Sequence, residues 1–71
     1  MKKKILIEGM SCGHCVKHVK DALRELSGVT NVDVNLETKT ALLDAASDIN
    51  DEDIKFAVED AGYDVVKIEA V

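Results

Sequence analysis

The chain has 71 residues, a formal net charge of −5, 46% apolar residues and two aromatic side chains, Phe56 and Tyr63. A chain this short buries roughly 60% of the surface its unfolded form exposes, which leaves one core and no room for an enclosed pocket and argues against an enzyme. Two rings cannot make the stacking sheet of an RNA-binding domain, and the acidic balance disfavours a nucleic-acid partner.

The apolar fraction is that of a folded globule. No apolar run is long enough to insert in a membrane. Ile5-Leu6-Ile7 behind Lys2-Lys3-Lys4 is too short for a signal-peptide core. The reading is therefore cytoplasmic, in a compartment where thiols stay reduced. Residues 1–24 carry six bases against two acids, whereas residues 25–71 carry three bases against twelve acids. The folded molecule is expected to be electrically lopsided.

Residues 3–8 alternate, with Ile5 and Ile7 on one face, which predicts a strand. Residues 9–13 form a loop. Val16, Val19, Ala22, Leu23 and Leu26 recur at helical spacing over residues 14–27, with Gly28 as a stop. Val32, Val34 and Leu36 alternate in a second strand. Glu37-Thr38-Lys39 is a hairpin turn without the usual glycine, and Ala41, Leu43 and Ala45 face inward from a third strand. Asn50 is placed to cap a second helix, with Asp51, Glu52 and Asp53 where the helix dipole favours negative charge. Ile54, Ala57, Val58 and Ala61 form its apolar face, and Gly62 ends it. Phe56 lies off that face, and its ring is expected to fold over the helix edge. Val66 and Ile68 mark a fourth strand.

The order is βαββαβ. It predicts an α+β, ferredoxin-like sandwich: a four-stranded antiparallel sheet with two helices on one face. The apolar set Ile5, Ile7, Val19, Leu23, Leu26, Val32, Val34, Leu43, Ile54, Val58 and Ile68 is the predicted core. In this topology the loop after the first strand and the Gly62-Tyr63 turn are neighbours.

The two cysteines, Cys12 and Cys15, are too close in sequence to staple a fold. They lie where a strand leads into a helix, in Gly9-Met10-Ser11-Cys12-Gly13-His14-Cys15. The unpaired N–H groups of a helix start stabilise anions, so both thiols are expected to have lowered pKa values. Two thiolates suit a soft monovalent ion, Cu(I), whereas zinc wants four ligands. The spacing alone leaves open a redox dithiol or two chance thiols.

The whole of residues 3–69 resembles the heavy-metal-associated domain family, of the small bacterial copper chaperone type. The residues that carry the likeness are the Gly9–Cys15 motif, the Gly62-Tyr63 pair and the βαββαβ spacing between them. The resemblance implies one such domain over 1–71, holding Cu(I) between Cys12 and Cys15. It implies transfer by ligand exchange to a metal-binding domain of a copper-transporting P-type ATPase, or to a copper-responsive regulator. The apo chain would be a monomer, with a metal-bridged dimer open to the loaded one. A domain belonging to such an ATPase is the alternative within this reading. Starting at Met1 and stopping after the fourth strand favours the free-standing form.

Cys-Gly-His-Cys is also the redox tetrad of disulfide isomerases, but those are thioredoxin folds with a Trp before the first cysteine and a cis-proline opposite. Ser11 stands in that position here, and the chain has no Trp or Pro. Zinc-transporting relatives usually place an acidic residue where this chain has Ser11; zinc could still recruit His18. Mercury-binding relatives carry a signal sequence.

Around the cysteines, Met10 is expected to turn inward and pin the loop to the core. His14 is either solvated or supports the site from behind the ligands, or bridges a metal-linked dimer. His18 is expected to be exposed. Tyr63 is expected to shield the thiolates or donate a hydrogen bond to sulfur. Lys17, Lys20 and Arg24 form a basic stripe that is a solvated face or, starting beside the loop, a docking surface for an acidic partner.

Overall fold

The computed structural model describes residues 1–11 and 13–71. The elements are β1 (Lys2–Glu8), α1 (Gly13–Arg24), β2 (Val29–Asn35), β3 (Thr40–Ala45), α2 (Asp51–Asp60) and β4 (Asp64–Ala70). The sheet order is β2-β3-β1-β4, with every neighbouring pair antiparallel. This is the expected ferredoxin-like arrangement. The alternation of apolar residues explains the strands: Ile5 and Ile7 of β1, Val32 of β2 and Ala41, Leu43 and Ala45 of β3 are buried under the helices. Val19 and Leu23 of α1 and Ile54 and Val58 of α2 close the core from the other side. Leu26, Val34 and Ile68 are only half-buried and pack against it.

α1 stops at Arg24, three residues before the expected end. The chain then tightens: the Leu26 N–H donates to the Leu23 carbonyl at 3.2 Å and the Val29 N–H to the Leu26 carbonyl at 3.3 Å. These are i→i+3 bonds, which narrow the last turn and aim the chain into β2. The β2–β3 turn manages without glycine because Asn35 substitutes for it. The Asn35 Oδ1 accepts from the Glu37 N–H at 2.9 Å, and Lys39 takes the left-handed conformation with φ 55°.

Three expectations are corrected. Val66 does not face the core; it is 53% exposed. The β1–β4 register pairs Ile5 with Ile68 and Leu6 with Lys67, then Ile7 with Val65. Val66 is the extra residue of a β-bulge, so the inward set of β4 is Val65 and Ile68. Asn50 stands at the N-cap of α2 with extended dihedrals, but its side chain makes no capping hydrogen bond. Instead, Ile49 before the cap and Ile54 within the first turns both belong to the core cluster, the arrangement of a hydrophobic staple. Lys3 of β1 pairs with Asp51 of the first turn. Finally, the Phe56 ring does not fold over the helix edge, since it is 71% exposed. Its neighbours three and four residues away are Glu52, Asp53, Glu59 and Asp60, which hold that face in water.

Candidate metal centre

β1 is the inner strand next to β4, and its C-terminal end releases the chain into the loop that precedes α1. Gly9 begins that loop with φ +97°, a conformation other residues seldom adopt. A side chain there would also touch Tyr63, because a Cβ would sit 3.5 Å from the Tyr63 Cδ1. The expected adjacency of the two loops is therefore present. Met10 turns inward and is 5% exposed, as expected, and belongs to the same cluster as Ile5 and Ile7. Its burial ties the loop to the core while Ser11, Gly13 and His14 stay exposed. Cys12 lies outside the described residues.

Cys15 sits in the first turn of α1, half-buried and packed against the core. This first turn has no acidic residue. The positive end of the helix dipole therefore meets no carboxylate within that turn. A thiolate at this position would be favoured by that field.

Tyr63 is fixed by the way α2 ends. Ala61 is the C-cap; the Gly62 N–H donates to the Glu59 carbonyl at 2.9 Å and the Tyr63 N–H to the Val58 carbonyl at 3.2 Å. This pair of bonds is a Schellman motif, and the φ of +100° at Gly62 is the left-handed residue it requires. The backbone of Tyr63 is therefore placed by α2, and its half-buried ring packs against the core beside Gly9. The Tyr63 hydroxyl lies 3.5 Å from Nδ1 of His18. His18 is exposed, as expected, and its contact with Tyr63 is an addition to that expectation. Its position one turn after Cys15, on the helix that starts beside the Gly62-Tyr63 turn, is the signal that could have found it.

Lys17, Lys20 and Arg24 are all exposed on α1, and none makes an ion pair among the described residues. Among the described residues no helix is long and apolar enough to cross a membrane, and no group of three His, Cys, Asp or Glu side chains is arranged to hold a metal.

A βαββαβ sandwich that carries a C-x-x-C loop at the start of its first helix is the architecture of the heavy-metal-associated domain, and the model of that domain matches residues 4–64. The chain belongs to that family. It is 48% identical to the copper chaperone CopZ of Bacillus subtilis (strain 168) over 67 residues, 93% of this chain and 97% of that one. Among solved structures it is similar to a CopZ metallochaperone, with 43% identity and a TM-score of 0.87 over 93% of this chain and 100% of that one. It is also similar to a copper binding domain from HMA7, a P-type ATPase, with 34% identity and a TM-score of 0.86 over 99% and 96%.

Proposed function

We propose that the chain is a copper chaperone, a carrier rather than an enzyme, that holds Cu(I) between the thiolates of Cys12 and Cys15. The observation that carries this reading is the near-full-length similarity to copper chaperones, joined to a half-buried Cys15 in a first helical turn free of carboxylates. Two sulfur ligands leave the ion open to a third, so an acceptor's thiolates can replace the donor's one at a time. Exchange is then fast although binding is tight. Met10 contributes by pinning the loop from the core, and Tyr63 by covering one flank of it; His14, exposed between the cysteines, is left to solvent or to a partner.

The partner we propose is a soluble metal-binding domain of a copper-transporting P-type ATPase, or a copper-responsive regulator, met in the cytoplasm. Such a partner must cover the loop to reach the copper. The exposed bases Lys17, Lys20 and Arg24 start two residues after Cys15 and suit an acidic docking face. The similarity to an ATPase's copper binding domain keeps a second reading in view, in which this chain is itself such a domain; the length of the native transcript separates the two. The test of the main reading is a metal titration under strict reduction against a competing Cu(I) chelator, with X-ray absorption of the loaded protein. One Cu(I) per monomer with two sulfur neighbours, or three where a dimer or added thiol contributes, is expected. A first shell dominated by nitrogen would sink the two-cysteine site.

A further inference from the structure

We infer that His18 is a positioning residue for Tyr63, and that the two side chains form a latch beside the metal loop that slows copper release. The inference rests on the copper-carrier reading for its effect, though not for the contact itself. Among the described residues, Tyr63 is held at three places. Its backbone is fixed by the Schellman bonds at the end of α2, and its ring edge lies against Gly9 of the loop. Its hydroxyl reaches Nδ1 of His18 on α1 at 3.5 Å. The ring therefore spans from the strand end of the loop to the helix that carries Cys15.

The same place is marked by a shallow cleft between α1 and the end of α2, lined by His18, Asp21, Glu25, Asp60 and Ala61. His18 is the member of that cleft that reaches Tyr63. Asp21 follows it three residues on in α1 and Glu25 seven residues on, just past the helix end, so the imidazole occupies the end of the cleft nearest Cys15. A phenol and an imidazole nitrogen can each act as donor or acceptor, so they can bond in either tautomer. At 3.5 Å on an exposed surface the bond is long and weak. Its expected contribution is to hold a ring in place rather than to stabilise the fold. A partner's thiol or a chelator approaching the copper from that flank must pass or displace the ring.

The test has an arm without copper and an arm with it. In the apo protein, nitrogen NMR of the His18 ring at about pH 9, above the ordinary imidazole range, compares the two ring nitrogens in wild type and Tyr63→Phe. A shift at Nδ1 with Nε2 nearly unchanged is expected; unchanged ring nitrogens would overturn the proposal whatever copper does. In the loaded protein, the rate of Cu(I) loss to a chelator is read by stopped flow. His18→Ala and Tyr63→Phe should each speed loss by about two- to threefold, and the double variant no further. His18→Asn, whose amide keeps a hydrogen-bonding atom at the Nδ1 position, should restore the slow rate. Unaltered rates with an intact Nδ1 shift would remove the latch and leave only the contact. If wild type binds no Cu(I), the carrier reading fails and the latch with it, while the apo spectra still decide the contact.

Discussion

The two helices lie side by side on one sheet face, yet their first turns are composed in opposite ways. α2 begins Asp51-Glu52-Asp53, filling its positive end with carboxylates, and Asp51 also pairs with Lys3. α1 begins Gly13-His14-Cys15 with no acid in the first turn and places Lys17 just beyond it. By the rules of helix stability α2 is the better start, since an acid there contributes about 0.3–1 kcal/mol. α1 forgoes that gain at the end where, on the proposed reading, thiolates hold the metal. The outward faces differ likewise. Lys20 and Arg24 repel each other at i, i+4 on α1, whereas α2 shows Phe56 among acids. A helix start open to anions thus marks the working pole, and a start already neutralised marks the structural one.

The strongest way to break this contrast is to remove the anions. Cys12→Ser or Cys15→Ser should each abolish chelator-resistant Cu(I) binding. The apo fold should survive, because the core of Ile5, Ile7, Val19, Leu23, Leu43, Ile54 and Val58 is closed without them; collapsed amide dispersion in the apo spectrum would contradict this. Next in size is recognition. Lys17→Glu with Lys20→Glu should slow copper transfer severalfold and flatten its salt dependence, with intrinsic affinity little changed. The matching change on α2, Asp51→Lys with Glu52→Lys, should leave transfer nearly intact; the reverse result would make the acidic helix the docking face.

A finer test gives α1 the start that α2 has. His14→Asp adds a carboxylate to the first turn, where it competes with thiolate for the same N–H groups. Cu(I) affinity by chelator competition should fall about two- to fivefold while the melting temperature holds or rises slightly. The smallest effect belongs to the open sheet face. Lys67 and Glu69 pair at 2.7 Å; their mutual hydrogen bond first, and their charges second, hold the Glu69 carboxyl below its usual range and the Lys67 ammonium above its own. A lowered carboxylate pKa adds stability above its unfolded value and loses it as pH falls through the folded value. Lys67→Gln should therefore cost a barely measurable amount at neutral pH, and nothing once acid has titrated Glu69. Both side chains are exposed, which keeps the effect small.

Much of this architecture was legible because apolar spacing is a direct record of which face is buried. The alternation at Ile5-Ile7 and Ala41-Leu43-Ala45 located strands, and the helical spacing of Val19 and Leu23 located α1. The cysteines announced themselves by type and spacing. What escaped had no periodic record. Val65-Val66 reads equally well in either phase, and only pairing with β1 decides it. Ile49 is a lone apolar residue in a polar stretch, so its burial could not be counted from spacing. Phe56 is apolar by composition and exposed by position. The His18–Tyr63 contact joins residues 45 positions apart in sequence and depends on the exact end of α2.

The bulge at Val66 has a further consequence, for company rather than for packing. β4 is an edge strand, with a row of backbone groups turned outward as a template for another chain. One extra residue breaks the even spacing of that row and sharpens the local twist, while Lys67 and Glu69 put charge beside it. A foreign strand cannot run straight along such an edge. For a carrier that, on the proposed reading, meets other folded domains and parts from them, an irregular edge discourages permanent sheet-to-sheet adhesion. Deleting Val66 would straighten the strand and, at high concentration, should make the protein self-associate along β4.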